Sequence, residues 1–314
     1  MATPYAYFQK QIMPLSEAKI GIMTHAFNYG TGVFEGIRGN WNADDETIYM
    51  FKIEEHLRRL RQSAHIMRIE IKETDEQLLS YLLEIVAKSA IREDQYIRPL
   101  AYKSSEALGV RVHDLDDDLL IFVAPFGPYL DAEAGIRVQT SSWRRVEDVS
   151  IPARAKGTGI YINSALAKTE AVLNGFDEAI MLNNDGHVSE GSGENIVIIR
   201  GNKLITPAPS DNVLEGITLD TVLDLAQREL GLKVEARTID RSELYVADEV
   251  FMTGTAAHVT PLLEIDRRMV ANGEIGPITA QLKARYFNII YGRVPEYAKW
   301  CTSVALREPV KAQA

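Results

Sequence analysis

DEAIMLNNDGHVSEGSGENIVIIRGNKLITP, residues 177–207, reads as strand, turn, strand, and then the same again. DEAIMLNND and NIVIIRGNKLITP are rich in Ile, Met, Leu and Val, and each is interrupted by Gly, Asn or Asp. Asp185-Gly186 is a dipeptide that joins antiparallel strands, because its glycine accepts a positive φ. The hairpin it closes leads directly into Glu190. GSG at 191–193 lacks the spacing of a dinucleotide-binding loop. Upstream, GIRVQTSSW (135–143), QYIRPLAY (95–102) and LLIFVAPF (119–126) are further strands. Pro125, Gly127 and Pro128 then punctuate the chain and place a domain boundary near 125–135. In 54–69, EEHLRRLRQSAHIMRI, the residues Leu57, Leu60, Ala64 and Met67 recur at helical spacing. Thr74 with Gln77 forms a capping box ahead of a second helix from about 75 to 92. ITLDTVLDLAQREL (217–230) is helical and stops at Gly231, and DEVFMTGTAAHVTP (248–261) is a strand ending in a small-residue turn. Hairpins mixed with helices, without regular βαβ alternation, predict an α+β fold.

Composition narrows the function. The chain has 314 residues, 46% hydrophobic and 25% charged, enough for two soluble domains. Its net charge of −10 repels nucleic acid phosphates, and no basic tract offsets it. The single cysteine, Cys301, forms no disulfide within the chain and suits a reducing compartment. No apolar run approaches the roughly 20 residues that cross a bilayer, and MATPYAYFQK has no secretory pattern, so the expected location is the cytoplasm, away from membranes. The six histidines show no HExxH and no helix-face pairing, so no metal site is expected. IPARAKGTGIYINSALA (151–167) places Lys156 in a loop, with Gly157 and Gly159 before a helix. Composition alone prefers no lysine over another.

Several motifs taken in order do prefer one. THAFNYGTGVFEGIR (24–38), EEHLRRL (54–60), YIRPL (96–100), the Lys156 segment, VSEGSGENI (188–196), LEGITLD (214–220) and DEVFMTGTAAHVTP (248–261) resemble the branched-chain aminotransferases, from about Met13 to Gly292. These are fold-type IV, class IV pyridoxal phosphate enzymes. The resemblance implies a two-domain fold of the D-amino acid aminotransferase kind with the cofactor at the domain interface. A smaller N-terminal domain would span 1–128, an interdomain loop 129–135, and a larger C-terminal domain 136–314.

It further implies that Lys156 is the catalytic residue, holding pyridoxal phosphate as a Schiff base and shuttling the substrate's proton. Glu190 would pair with the pyridine nitrogen, Tyr161 would meet the phenolic oxygen, and Glu194 would be the structural acid. For the phosphate the resemblance selects Arg59, the helix start at Leu214, Gly216, Ile217 and Thr218, and Gly254 with Thr255. For the substrate it selects Tyr96 with Thr255, Ala256 and Ala257 at the α-carboxylate, and Tyr29, Phe34 and Gly36 at the side-chain pocket. Arg98, Tyr29 and Tyr129 would receive the distal carboxylate of glutamate. The implied reaction is reversible, ping-pong transfer between L-leucine, L-isoleucine or L-valine and 2-oxoglutarate, in a homodimer whose partner completes the pocket. Other activities of the same scaffold are (R)-amine or D-amino acid transamination and aminodeoxychorismate lyase chemistry. The sequence departs from the family at His258, where glutamate is usual, and at Ile160, where asparagine is common.

Overall fold

A computed structural model describes residues 3–306, and the chain divides into two compact units. The first holds residues 3–127 and 288–306, and the second holds 128–287. The first begins with strands β1 (Tyr5–Phe8) and β2 (Gln11–Pro14) and the short helix α1 (His25–Tyr29). Strands β3 (Gly32–Phe34), β4 (Ile37–Asn42) and β5 (Thr47–Phe51), helices α2 (Ile53–Ile66) and α3 (Asp75–Ser89), and the long hairpin β6 (Gln95–Lys103) and β7 (Asp117–Pro125) complete its N-terminal part. All these strands pair antiparallel, in the order β5-β4-β6-β7-β1-β2, with β3 also on β6.

Strand alternation decides which side chains this sheet gives to the core. Ile97 on β6 and Leu119, Ile121 and Val123 on β7 are buried in one cluster with Leu57 and Leu60 of α2 and Leu78 and Leu82 of α3. Tyr96 and Arg98 therefore project from the opposite face. The Thr74 capping box forms in both directions, with Gln77 N–H at 3.3 Å from the Thr74 hydroxyl and Thr74 N–H at 2.9 Å from the Gln77 amide oxygen. Both helices end earlier than the spacing predicts. Arg68 and Ala90 take left-handed conformations, φ 55° and 48°, and Ile69 N–H donates back to Ala64 O at 2.8 Å. No glycine marked either stop.

The second unit contains β8 (Ile136–Thr140), α4 (Tyr161–Leu173), β9 (Glu178–Leu182), β10 (Val188–Gly191), β11 (Asn195–Arg200) and β12 (Lys203–Thr206). It continues with α5 (Ile217–Leu230), β13 (Lys233–Ala236), β14 (Glu249–Gly254), β15 (His258–Ile265), β16 (Arg268–Met269) and α6 (Pro277–Ile290). Its sheet runs β10-β9-β8-β15-β14-β11-β12-β13, with β16 on β15. The β9-β10 and β11-β12 hairpins are those read in 177–207, and Gly186 has the positive φ, 89°, that its turn requires. β8 and β9 are parallel, so a crossover must join them. Residues 141–160 and α4 are that crossover, and they carry Lys156. Gly231 caps α5 at φ 63°.

The last strand, β17 (Cys301–Ala305), pairs antiparallel with β5 and closes the first unit's sheet. Residues 288–306 thus belong with the N-terminal unit, which corrects the expectation that 136–314 forms one C-terminal domain. Residues 129–135, read as an interdomain loop, group with the second unit. No helix among the described residues is long and apolar enough to span a membrane. Leu60 is fully buried between α2 and the sheet. Leu60→Ala should destabilise the first unit by about 2–5 kcal/mol, seen as a lower thermal midpoint by circular dichroism.

Candidate active site

Glu190 is a buried, firmly held acid of the second unit. It sits on β10 directly after a bulge, where the register to β9 shifts between Val188 and Glu190. Such a bulge re-aims the side chain that follows it. The carboxylate is 5% exposed and accepts from three donors. Arg145 Nη2 lies 2.8 Å from Oε1, while Asn195 Nδ2 at 3.2 Å and Leu214 N–H at 3.0 Å both reach Oε2. Three donors, one of them a guanidinium, are the company that a buried carboxylate needs. Asn195 Nδ2 also donates to Leu214 O at 2.8 Å, and a Cβ at Gly216 would collide with Asn195 Oδ1. Glycine at 216 is thus a steric requirement. Gly216 is the N-cap of α5, a helix of 14 residues with no side-chain cap at that end. The first-turn residues Ile217 and Thr218 are buried behind it. An uncapped helix start attracts anions through its N–H groups and dipole.

Lys156 is half-buried, and its Nζ donates to the Tyr161 hydroxyl at 2.9 Å. Ile160, the departure noted above, is the buried N-cap residue of α4 and leaves that pair intact. Around Tyr161 the charges thicken. Burial first, then Glu194, Glu178 and Tyr161, push the Tyr129 hydroxyl upward, with Ser192 hydrogen-bonding it in opposition. Lys168 Nζ lies 5.3 Å from the Tyr129 ring centre and 2.6 Å from Glu178 Oε2. Glu178 and Glu194 are both buried, and burial together with Glu178 pushes the Glu194 carboxyl well above the usual range. Tyr129, expected at the substrate, thus stands among Lys168, Glu178 and Glu194.

The small-residue turn joins β14 to β15 through Thr255, Ala256 and Ala257, with Gly254 opposite His258. His258 takes a left-handed φ of 58°, and its carbonyl accepts from the Thr253 hydroxyl at 2.7 Å. Its ring packs against Phe287 and Tyr286, 4.9 and 6.0 Å between centres. The residue at this departure therefore acts as turn former and aromatic filler.

In the first unit, Arg98 lies over the rings of Phe34, Tyr96 and Phe122 at 4.4, 4.9 and 5.9 Å, and its Nη2 donates to the Tyr96 hydroxyl at 3.1 Å. A Cβ at Gly36 would strike the Tyr96 ring, so the glycine lets that ring lie against the backbone. Phe34, Gly36, Tyr96 and Arg98 thus form one cluster. Tyr29 closes α1, with its hydroxyl accepting from Gly109 N–H at 3.0 Å and its ring beside His25. Arg59 grips Glu35 with Nε at 2.7 Å and Nη2 at 2.8 Å. Sequence reasoning passed over Arg145, Asn195, Glu35, His56 and Lys168. Asn195 and Glu35 stood inside quoted motifs, SEGSGEN and FEG. Arg145 lies in WRR, which gave no signal.

The family model for amino-transferase class IV matches residues 32–265. The chain belongs to that family. It is 52% identical over 300 residues, 96% of each chain, to a probable branched-chain-amino-acid aminotransferase of Aquifex aeolicus. The branched-chain aminotransferase of Thermoproteus uzoniensis, solved with norvaline, superposes with a TM-score of 0.91 at 42% identity, covering 96% of this chain and 99% of that one. The branched-chain amino acid aminotransferase of Thermobaculum terrenum, solved in its PLP-bound holo form, gives 0.90 at 39% identity, covering 96% and 99%. Pyridoxal phosphate needs an amine for its aldehyde, an acid for its ring nitrogen and a cradle for its phosphate. Lys156, the buried carboxylate of Glu190 and the uncapped start of α5 fit all three.

Glu194 makes stability depend on pH in a definite direction. Its folded pKa, about 8, exceeds the ordinary 4.5, so the folded chain binds the extra proton. That contribution is complete below about 4.5 and is lost as pH rises toward 8. Glu194→Gln, neutral at every pH, should match the parent's melting temperature at pH 5 and exceed it at pH 8.5. Parallel melting curves at both pH values would contradict a protonated Glu194.

Proposed function

We propose that this chain transfers amino groups reversibly between L-leucine, L-isoleucine or L-valine and 2-oxoglutarate, with pyridoxal phosphate as cofactor. The observation that carries the substrate reading is Arg98 laid over Phe34, Tyr96 and Phe122. A charge set among aromatic rings offers an apolar wall to a branched side chain and a cation to the distal carboxylate of glutamate. The A. aeolicus relative and the solved structures support the same reading.

When bound, the cofactor supplies an aldehyde that captures amines and a ring that takes up an electron pair. Lys156 holds that aldehyde through Nζ, and once released it moves the proton at the substrate's α carbon. Tyr161, at 2.9 Å, holds Nζ on one side and orients it. Glu190 keeps a proton at the ring nitrogen, which an uncharged residue would not favour. Leu214, Gly216, Ile217, Thr218, Gly254 and Thr255 hold the phosphate, and we assign Arg59 to it as well. Tyr96, Thr255, Ala256 and Ala257 bind the α-carboxylate. Phe34, Gly36 and Tyr29 shape the apolar pocket, and Arg98, Tyr29 and Tyr129 receive the distal carboxylate.

The reading extends to a homodimer in the cytoplasm. Ile22, Phe27, Leu108 and Val110 are 82%, 66%, 72% and 85% exposed. Asn28 Nδ2 to Ile22 O folds the first segment on itself and His25 Nε2 to Gly109 O ties it to the second, so these apolar side chains sit on linked backbone. Exposed apolar patches of this kind mark interfaces, and a second copy of the chain would cover this one. Burial pushes the Cys301 thiol up to about 12, which leaves it inert in a reducing cytoplasm.

Purified protein should transaminate L-leucine, L-isoleucine and L-valine with 2-oxoglutarate, measured as glutamate formed. Turnover of D-alanine or an (R)-amine with indifference to L-leucine would overturn the substrate reading. The double variant Phe27→Asp, Val110→Asp should sediment as a monomer where the parent sediments as a dimer. Identical sedimentation of the two would remove this patch from the interface.

A further inference from the structure

Glu35 has no exposed surface, yet it is ionised. Burial drives its carboxyl upward, but the charge and hydrogen bonds of Arg59, together with His56, outweigh burial and hold it at about 2. The residue follows β3 directly, and its own N–H is fixed to Pro99 O at 2.9 Å. Helix α2 brings His56 and Arg59 to it from one face, three residues apart. Arg59 Nε meets Oε1 at 2.7 Å, Arg59 Nη2 meets Oε2 at 2.8 Å, and His56 Nδ1 meets Oε2 at 2.7 Å.

A buried pair of this kind is a weak stabiliser, since desolvating two charges offsets most of their attraction. What a two-pronged contact does give is geometry. Parallel bonds to Nε and Nη2 fix the plane of the guanidinium and the rotamer of a long side chain. Glu35 is wholly enclosed, while the Arg59 side chain keeps 11% of its surface. The carboxylate therefore grips from inside a cation that is itself not fully enclosed.

We propose that Glu35 is a positioning residue that sets the Arg59 guanidinium for the phosphate of pyridoxal phosphate. This rests on the assignment of Arg59 to the phosphate made above. Charge and geometry oppose each other here, which makes the claim testable. Removing the negative charge of Glu35 favours an anion electrostatically, whereas losing the fork lets Arg59 swing. Positioning outweighs charge.

The full-length parent, Glu35→Gln, Glu35→Asp and Arg59→Ala are each stripped of cofactor and titrated with pyridoxal phosphate and with pyridoxal, following intrinsic fluorescence. Both compounds offer the same aldehyde, so the ratio of their dissociation constants isolates the phosphate. A packing defect weakens both alike and leaves that ratio unchanged. Glu35→Gln should lower the preference for pyridoxal phosphate about tenfold, with pyridoxal binding kept. Glu35→Asp keeps the buried charge balanced and so folds, but it is too short to reach both nitrogens. It should lower the preference in the same direction. An unchanged or increased preference in Glu35→Asp, or in folded Glu35→Gln, overturns the proposal if Arg59→Ala loses the preference. If Arg59→Ala keeps it, the phosphate assignment of Arg59 itself fails and takes this inference with it.

Discussion

A carboxylate out of water has to be met at its oxygens, and in the second unit the Glu190 carboxylate organises its surroundings. Its donors come from three places: Arg145 in the β8-to-α4 crossover, 45 positions away, Asn195 on β11, five positions on, and the backbone of Leu214. Asn195 must turn its amide toward Glu190 and Leu214, and the oxygen left over occupies the space where a side chain at 216 would stand. Gly216 then begins α5 without a side-chain cap, so that the same network which holds the acid also leaves a helix start open to an anion. Two parts of the proposed cofactor site are thereby set by one buried carboxylate. Withdrawing a partner from such a buried pair typically costs about 3–5 kcal/mol, so the network is structural as well as chemical.

The first unit repeats the device with Glu35 and Arg59. There too a buried carboxylate orients a group rather than reacting. Arg98 differs in that aromatic rings surround the cation. One unit thus offers acids and an amine, the other cations among rings, and the amino-transferase class IV family model spans residues of both.

Much of this was legible in the sequence, and the rest fails for definable reasons. The hairpins of 177–207 and the end of α5 were readable because Asp-Gly and Gly231 carry their own backbone requirements. The ends of α2 and α3 were not, because Arg68 and Ala90 take the left-handed conformation in place of glycine. β17 is five residues long and gains its identity only by pairing with β5, some 250 positions earlier, so nothing local announces it. Motifs singled out Lys156, Tyr161 and Glu190, and in the structure Lys156 touches Tyr161 while Glu190 touches Asn195 of the same motif. Arg145 escaped because its partner is 45 positions away and an arginine pair beside a tryptophan looks like surface. Long-range electrostatic partners are the part of a site that spacing does not encode.

The central claim is that Lys156 is the cofactor's lysine. Protein purified with pyridoxal phosphate bound can be reduced with borohydride, digested, and mapped by mass spectrometry for the phosphopyridoxyl adduct. The account predicts one modified peptide, carrying the adduct on Lys156, which L-leucine added without an oxo acid before reduction should diminish. A stoichiometric adduct on any other lysine, with Lys156 unmodified, would contradict it.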